Sequence, residues 1–185
     1  MGFHTFDPGR ADKLEDESRY RYCSREELVA ALGPDEADTV ADLGSGTGFY
    51  TDDVAPFVAE VRAVDVQSEM HDLYREKGVP TNVELVTANV EDLPFGDSAL
   101  DGAFSTMTFH EFAGNGDALG EVARVLADGA RFVVADWTAS GDGESGPPTD
   151  ERYDRDRAVE MLEDAGFEIL RADERPETML VVARR

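Results

Sequence analysis

Gly44, Gly46 and Gly48 alternate through Ala41-Asp42-Leu43-Gly44-Ser45-Gly46-Thr47-Gly48-Phe49-Tyr50, where an apolar run gives way to a helical one. Glycine reaches backbone conformations closed to other residues and lets a ligand approach the chain closely. The helix that follows offers N–H groups with no partner of their own. The pattern predicts a small-molecule cofactor site, with Gly44, Gly46 and Gly48 nearest to it. A dinucleotide fingerprint, GxGxxG, would need glycine where Phe49 stands. A tight turn without a ligand seldom needs three glycines.

Three more positions carry chemistry. Asp65 ends the next apolar run, where an isolated carboxylate either accepts both hydroxyls of a ribose or caps the helix beginning near Ser68. Asn89 has a donor and an acceptor. It either reads the exocyclic edge of an adenine, with the Val90 N–H reaching a ring nitrogen, or closes an Asx turn. His110, in Thr108-Phe109-His110-Glu111-Phe112, is the candidate general base, against the alternative of a hydrogen-bonded structural histidine. Glu111 either orients that imidazole or caps a helix. Trp137 lines an acceptor pocket or the core, and Tyr20 and Tyr22 fold over the site or pack on the surface.

The elements that must position these residues follow from periodicity. From Thr39 onward, β-branched runs alternate with amphipathic stretches, the signature of βα units and a parallel sheet. Strands are expected at Thr39–Leu43, Glu60–Val66, Val83–Ala88, Leu100–Thr106 and Arg131–Trp137, and helices at Gly48–Val58, Ser68–Lys77, Asn115–Leu126 and Asp154–Ala165. The runs Phe167–Ala172 and Met179–Ala183 are too close for a crossover, so they form an antiparallel hairpin. Ser24 caps a helix through Leu32, with Glu27 completing a capping box and Gly33-Pro34 stopping it. Thr138–Asp150, rich in Gly, Ser, Pro and acid, is a lid or a solvated loop. The expected fold is α/β: one doubly wound Rossmann-like domain over residues 39–185, its mostly parallel seven-stranded sheet ending in an antiparallel hairpin, with residues 1–38 as a helical lead-in or lid.

Composition bounds the rest. With 17 basic and 41 acidic residues, the chain of 185 carries a formal charge of −24. Self-repulsion on that scale calls for screening, and at molar salt the Debye length is about 3 Å. A salt-adapted cytoplasm is expected, with a basic partner as the alternative. Cys23 is the only cysteine, which excludes an internal disulfide or a cysteine-based metal cluster, and His4, His71 and His110 show no ligand spacing, so no metal is expected. The N-terminus has no signal-peptide pattern, Phe6 stands where myristoylation at Gly2 wants Ser or Thr, and no apolar run approaches the about 18 residues a bilayer span needs.

In order along the chain, ADLGSGTGFY, VRAVDVQSEM, ANVEDLPFGDSALDGAFS and EVARVLADGARFVVADW together resemble a class I S-adenosylmethionine-dependent methyltransferase of the small-molecule, ubiquinone/menaquinone-type branch. FDPGRADKLEDESR resembles the lead-in of a subgroup. The sequence departs from the family with Asn89 for the usual Asp and with Asp128-Gly129-Ala130 for Pro-Gly-Gly. The resemblance implies S-adenosyl-L-methionine as cofactor, with Ser45, Val66 and Ser105 joining the residues above around it and Asp42 near its positive charge. It implies direct in-line methyl transfer to a small-molecule acceptor held by the N-terminal segment and the loops after the fourth and fifth strands. Nucleic acid is not expected as a substrate, since no aromatic and basic groove is visible. The alternatives are a non-catalytic cofactor-binding module and an NAD(P)-dependent oxidoreductase.

Overall fold

The computed structural model describes residues 7–185, so Gly2, His4 and Phe6 lie outside the described residues. Seven strands form one sheet: β1 (Thr39–Leu43), β2 (Glu60–Asp65), β3 (Val83–Thr87), β4 (Leu100–Thr106), β5 (Leu126–Trp137), β6 (Glu168–Glu174) and β7 (Thr178–Arg184). Their order is β3-β2-β1-β4-β5-β7-β6, and β7 runs antiparallel to both of its neighbours. The short link through Pro176 permits nothing else.

Six helices complete the fold: α1 (Arg25–Leu32), α2 (Phe49–Val54), α3 (Ser68–Lys77), α4 (Phe109–Phe112), α5 (Ala118–Val125) and α6 (Arg155–Asp164). Strand alternation divides the core between the two faces of the sheet. On β5, Phe132 and Val134 pack with Leu119 and Val122 of α5 and Leu162 of α6, whereas Val133 and Ala135 pack with Leu28 of α1 and Val54 of α2.

Local chemistry sets the boundaries. At α1, Ser24 Oγ accepts from the Glu27 N–H at 3.2 Å and Gly33 ends the helix at φ 58. The expected box is only half made, because the Glu27 carboxylate pairs with Arg175 Nη2 at 2.5 Å. The helix expected to reach Val58 stops at Val54 and continues as a 3-10 turn over Ala55–Phe57, since Pro56 has no N–H to donate. β5 starts earlier than expected because Leu126 pairs with Leu100 across a register shift.

The strand order reverses between β1 and β4, which opens a crevice beyond their carboxyl ends. Two 3-10 turns, Pro8–Glu15 and Glu17–Arg21, are tied there by side chains. Thr47 Oγ1 donates to Glu15 Oε1 at 2.5 Å, and Lys77 Nζ sits 3.2 Å from Glu15 Oε1 and 2.8 Å from Asp52 Oδ2. Among the described residues, no helix is long and apolar enough to cross a membrane.

Candidate active site

A cavity of about 780 Å³ occupies the crevice. Gly44, Ser45, Gly46, Asp65 and Val66 line one part of it, Asn89 and Val90 another, and His110 and Trp137 the far end.

The three glycines are required for different reasons. A Cβ on Gly46, at φ 55, would meet only Leu14 Cδ1 at 3.4 Å, so this residue leaves its backbone open to the cavity. Gly44 and Gly48 both lie at φ 84, where a Cβ would come within 2.3 Å of Thr108 Cγ2 and 2.1 Å of the Tyr74 ring, respectively. Those two serve packing first. Gly44 still lines the cavity, whereas Gly48 is outside the lining.

Asp65 joins the glycine loop to the second strand. Its Oδ2 accepts from the Gly46 N–H at 2.8 Å and its Oδ1 from the Gln67 N–H at 2.9 Å, which fixes a carboxylate at the cavity wall. Burial raises its pKa, opposed by those backbone donors. Asn89 closes an Asx turn: Oδ1 accepts from the Glu91 N–H at 3.3 Å and Nδ2 donates to Glu91 Oε2 at 3.1 Å, with the residue still at the wall. Ser45 Oγ is buried at this wall with no protein partner among the described residues.

Two other expected residues are also outside the lining. Asp42 lies beneath the glycine loop, 1% exposed, with Oδ2 accepting from Thr51 Oγ1 at 2.6 Å. Burial pushes its carboxyl up to about 7, opposed by the Thr51 hydrogen bond and by Arg19. Ser105 is enclosed within β4, its Oγ without a partner among the described residues.

At the far end, α4 presents His110. Its backbone N–H donates to Asp136 Oδ2 at 2.7 Å, and its Nδ1 lies 3.0 and 2.9 Å from the two Asp136 oxygens. The Trp137 N–H donates to Asp136 Oδ1 at 2.7 Å. An ionised carboxylate only accepts, so Nδ1 carries the proton and the neutral ring keeps its lone pair on Nε2. Burial pulls the His110 pKa down, but Asp136 and then Glu111 outweigh it, and the net shift is upward. Glu111, weighed above as an orienting acid or a helix cap, stands with Oε1 3.9 Å from Nε2, while Asp136 does the orienting. Burial pushes the Glu111 carboxyl up to about 7, with His110 opposing.

This end draws on distant parts of the chain. Met107 holds φ 61, a strained angle for a side-chain-bearing residue, while its N–H donates to the Ala135 carbonyl at 2.8 Å. The Tyr22 ring packs 4.7 Å from Trp137, and its hydroxyl donates to Ser145 Oγ at 2.9 Å. Arg152, 6% exposed, donates Nε to the Pro147 carbonyl at 2.9 Å and Nη1 to the Thr138 carbonyl at 3.3 Å, which ties the loop 138–150 from beneath. Tyr20 packs on Phe49 at 4.9 Å, away from the cavity lining. Burial pushes the Cys23 thiol up to about 12, out of range for nucleophilic work.

A doubly wound sheet with a glycine loop and an acidic second-strand end at its switch point defines an enzyme that holds a nucleotide-like cofactor. The family described as the methyltransferase domain matches residues 41–134. A SAM-dependent methyltransferase from Aquifex aeolicus shares 33% identity at a TM-score of 0.87, covering 97% of this chain and 98% of that one. The chain belongs to this family and is an S-adenosylmethionine-dependent methyltransferase. The ubiquinone/menaquinone biosynthesis C-methyltransferase UbiE of Klebsiella pneumoniae is 34% identical over 117 residues, 60% of this chain and 47% of that protein. The biotin biosynthesis bifunctional protein BioHC of Cellvibrio japonicus is 37% identical over 94 residues, 51% of this chain and 18% of that protein. The chain therefore spans less than half the length of either curated relative. The cavity suits the cofactor: Ser45 offers a buried hydroxyl lacking a protein partner, Asp65 a fixed acceptor, and Gly46 an unobstructed backbone.

Proposed function

We propose that this enzyme moves a methyl group by direct in-line transfer to a small-molecule acceptor that gives up a proton. Gly44, Ser45, Gly46, Asp65, Val66, Asn89 and Val90 hold the cofactor, and His110 takes the proton. The observation that carries this reading is the His110–Asp136 pair at the cavity, with Asp136 fully buried and Nδ1 2.9 Å from its Oδ2.

S-adenosylmethionine, when bound, supplies a methyl group on a sulfonium, already activated for attack. What remains for the chain is to hold the acceptor, to exclude water and to remove a proton. Asp136 fixes the ring and stabilises the imidazolium formed when Nε2 accepts that proton. Trp137, Met107 and Phe112 give the acceptor an apolar wall. The described part of the lead-in, residues 7–38, closes over the cavity, and residues 39–185 form the transferase domain. The names of the two curated relatives, which place them in quinone and biotin biosynthesis, support a small molecule over a nucleic acid. The charge of −24 favours work in concentrated salt, in the cytoplasm.

The test is transfer of labelled methyl to a panel of phenols, N–H heterocycles and activated C–H acids, followed against pH. Turnover is expected to fall as pH drops through the raised His110 pKa, because only the neutral ring is a base. His110→Gln should remove most of the rate along with that limb. A turnover profile that stays flat in both proteins would contradict the role given to His110.

A further inference from the structure

The chain is short of positive charge, and nearly all of it is committed to local partners. From Arg25 onward every basic side chain is in an ion pair except Arg131, which donates to the Ala31 carbonyl at 3.0 Å. Arg21 lies over the Tyr22 ring, and Arg19 lies over Phe49 and Tyr50 while donating to the Leu14 carbonyl. Only the side chains of Arg10 and Lys13 have no acid, carbonyl or ring among the described residues, and both line the cavity. They belong to the 3-10 turn Pro8–Glu15, in which residues three apart eclipse, so the two cations share one side of it. Leu14 of the same turn lies against Gly46, which seats the pair above the glycine loop.

With 41 acidic residues in the chain, two cations left without a carboxylate at a cavity mouth are available to a ligand. The same lining holds Asp16, Asp65, Glu111 and Glu144, so these two cations are where an anion finds attraction on an otherwise acidic wall. Resting on the methyltransferase reading above, we infer that the methyl acceptor is an anionic small molecule. Its carboxylate or phosphate sits between Arg10 and Lys13 at the mouth, and its reacting end extends along Trp137 toward His110. Arg19, half-buried and held over the Phe49 and Tyr50 rings, is not counted in this pair.

The test uses the full chain saturated with S-adenosylhomocysteine, at physiological ionic strength, where screening sets in beyond about 8 Å. Calorimetric titrations with 4-hydroxybenzoate, 4-hydroxyphenyl phosphate and the neutral 4-hydroxybenzamide compare wild type with Arg10→Gln/Lys13→Gln, and thermal unfolding confirms that both proteins are folded at this ionic strength. One or both anions should bind at least about tenfold more tightly than the amide, and the double variant should erase that preference while S-adenosylhomocysteine binds as before. Preference for the benzoate or for the phosphate identifies which oxyanion the rim takes. Equal or absent binding of all three probes overturns the inference, as does a preference that survives in the variant. A tenfold fall in S-adenosylhomocysteine affinity in the variant also overturns it, by assigning the cations to the cofactor's own carboxylate. Failure of wild type to bind S-adenosylhomocysteine at all would remove the underlying reading, and that titration is read separately.

Discussion

The two ends of the cavity are built by different means. At the glycine loop the polar contacts are backbone N–H groups gathered by a single side chain: Asp65 accepts from Gly46 and Gln67, both close to strand ends that pair in register. At the other end Asp136 also accepts from backbone N–H groups, those of His110 and Trp137, but contacts between side chains of remote segments are added to them, His110 after β4 to Asp136 on β5 and Tyr22 before α1 to Ser145 in the loop beyond β5. A site made of backbone depends on conformation, so it needs glycines at fixed places and tolerates little else. A site made of side chains depends on the sheet to bring its members together, and it can change acceptor without disturbing the cofactor.

The largest predicted effect breaks the side-chain end alone. His110→Ala should lower kcat by about 10²- to 10⁴-fold with any acceptor the wild type turns over. Asp136→Asn should lower the pH at which the imidazole titrates, followed by its ring-proton NMR signals, because the carboxylate is what holds that value up. Next comes Asp65→Ala, expected to weaken S-adenosylhomocysteine by about 100-fold in calorimetry, about 2.7 kcal/mol. Gly48→Ala tests the packing role of one glycine: a Cβ 2.1 Å from the Tyr74 ring at φ 84 should cost about 1–3 kcal/mol in denaturant unfolding.

The smallest effect has the opposite sign. The Asp42 carboxyl is raised to about 7 by burial, so folding is penalised progressively as pH rises from the ordinary carboxylate range, where the unfolded chain ionises first, and the penalty is complete above about 7. Asp42→Asn should therefore raise the melting temperature at pH 8 by about 2–4 °C, about 1 kcal/mol, with the gain fading toward pH 4. Equal melting temperatures at pH 8 would show that the carboxylate is not paying that penalty.

The contrast between the two ends also explains what was legible in the sequence. Strand runs, the final hairpin and the glycine loop were readable because each is a local pattern of a few residues. Gly44 and Gly48 were visible as glycines, but their reasons, Thr108 and Tyr74, belong to other elements. His110 was visible as a lone histidine. Its partner Asp136 was not legible, because nothing local links it to a residue 26 positions earlier. Asp42 and Ser105 were placed at the cofactor by their position in motifs, whereas strand pleat and loop geometry turn both side chains into the interior. Arg152 gave no signal at all, since its partners are the carbonyls of a loop without periodicity.

The most direct test of this division of labour is a calorimetric titration of S-adenosylhomocysteine into wild type, Asp65→Ala and His110→Ala, each shown to be folded by thermal unfolding. The account predicts saturable binding by wild type and by His110→Ala with similar affinity, and a loss of about 100-fold in Asp65→Ala. Comparable losses in both variants, or a loss confined to His110→Ala, would contradict it.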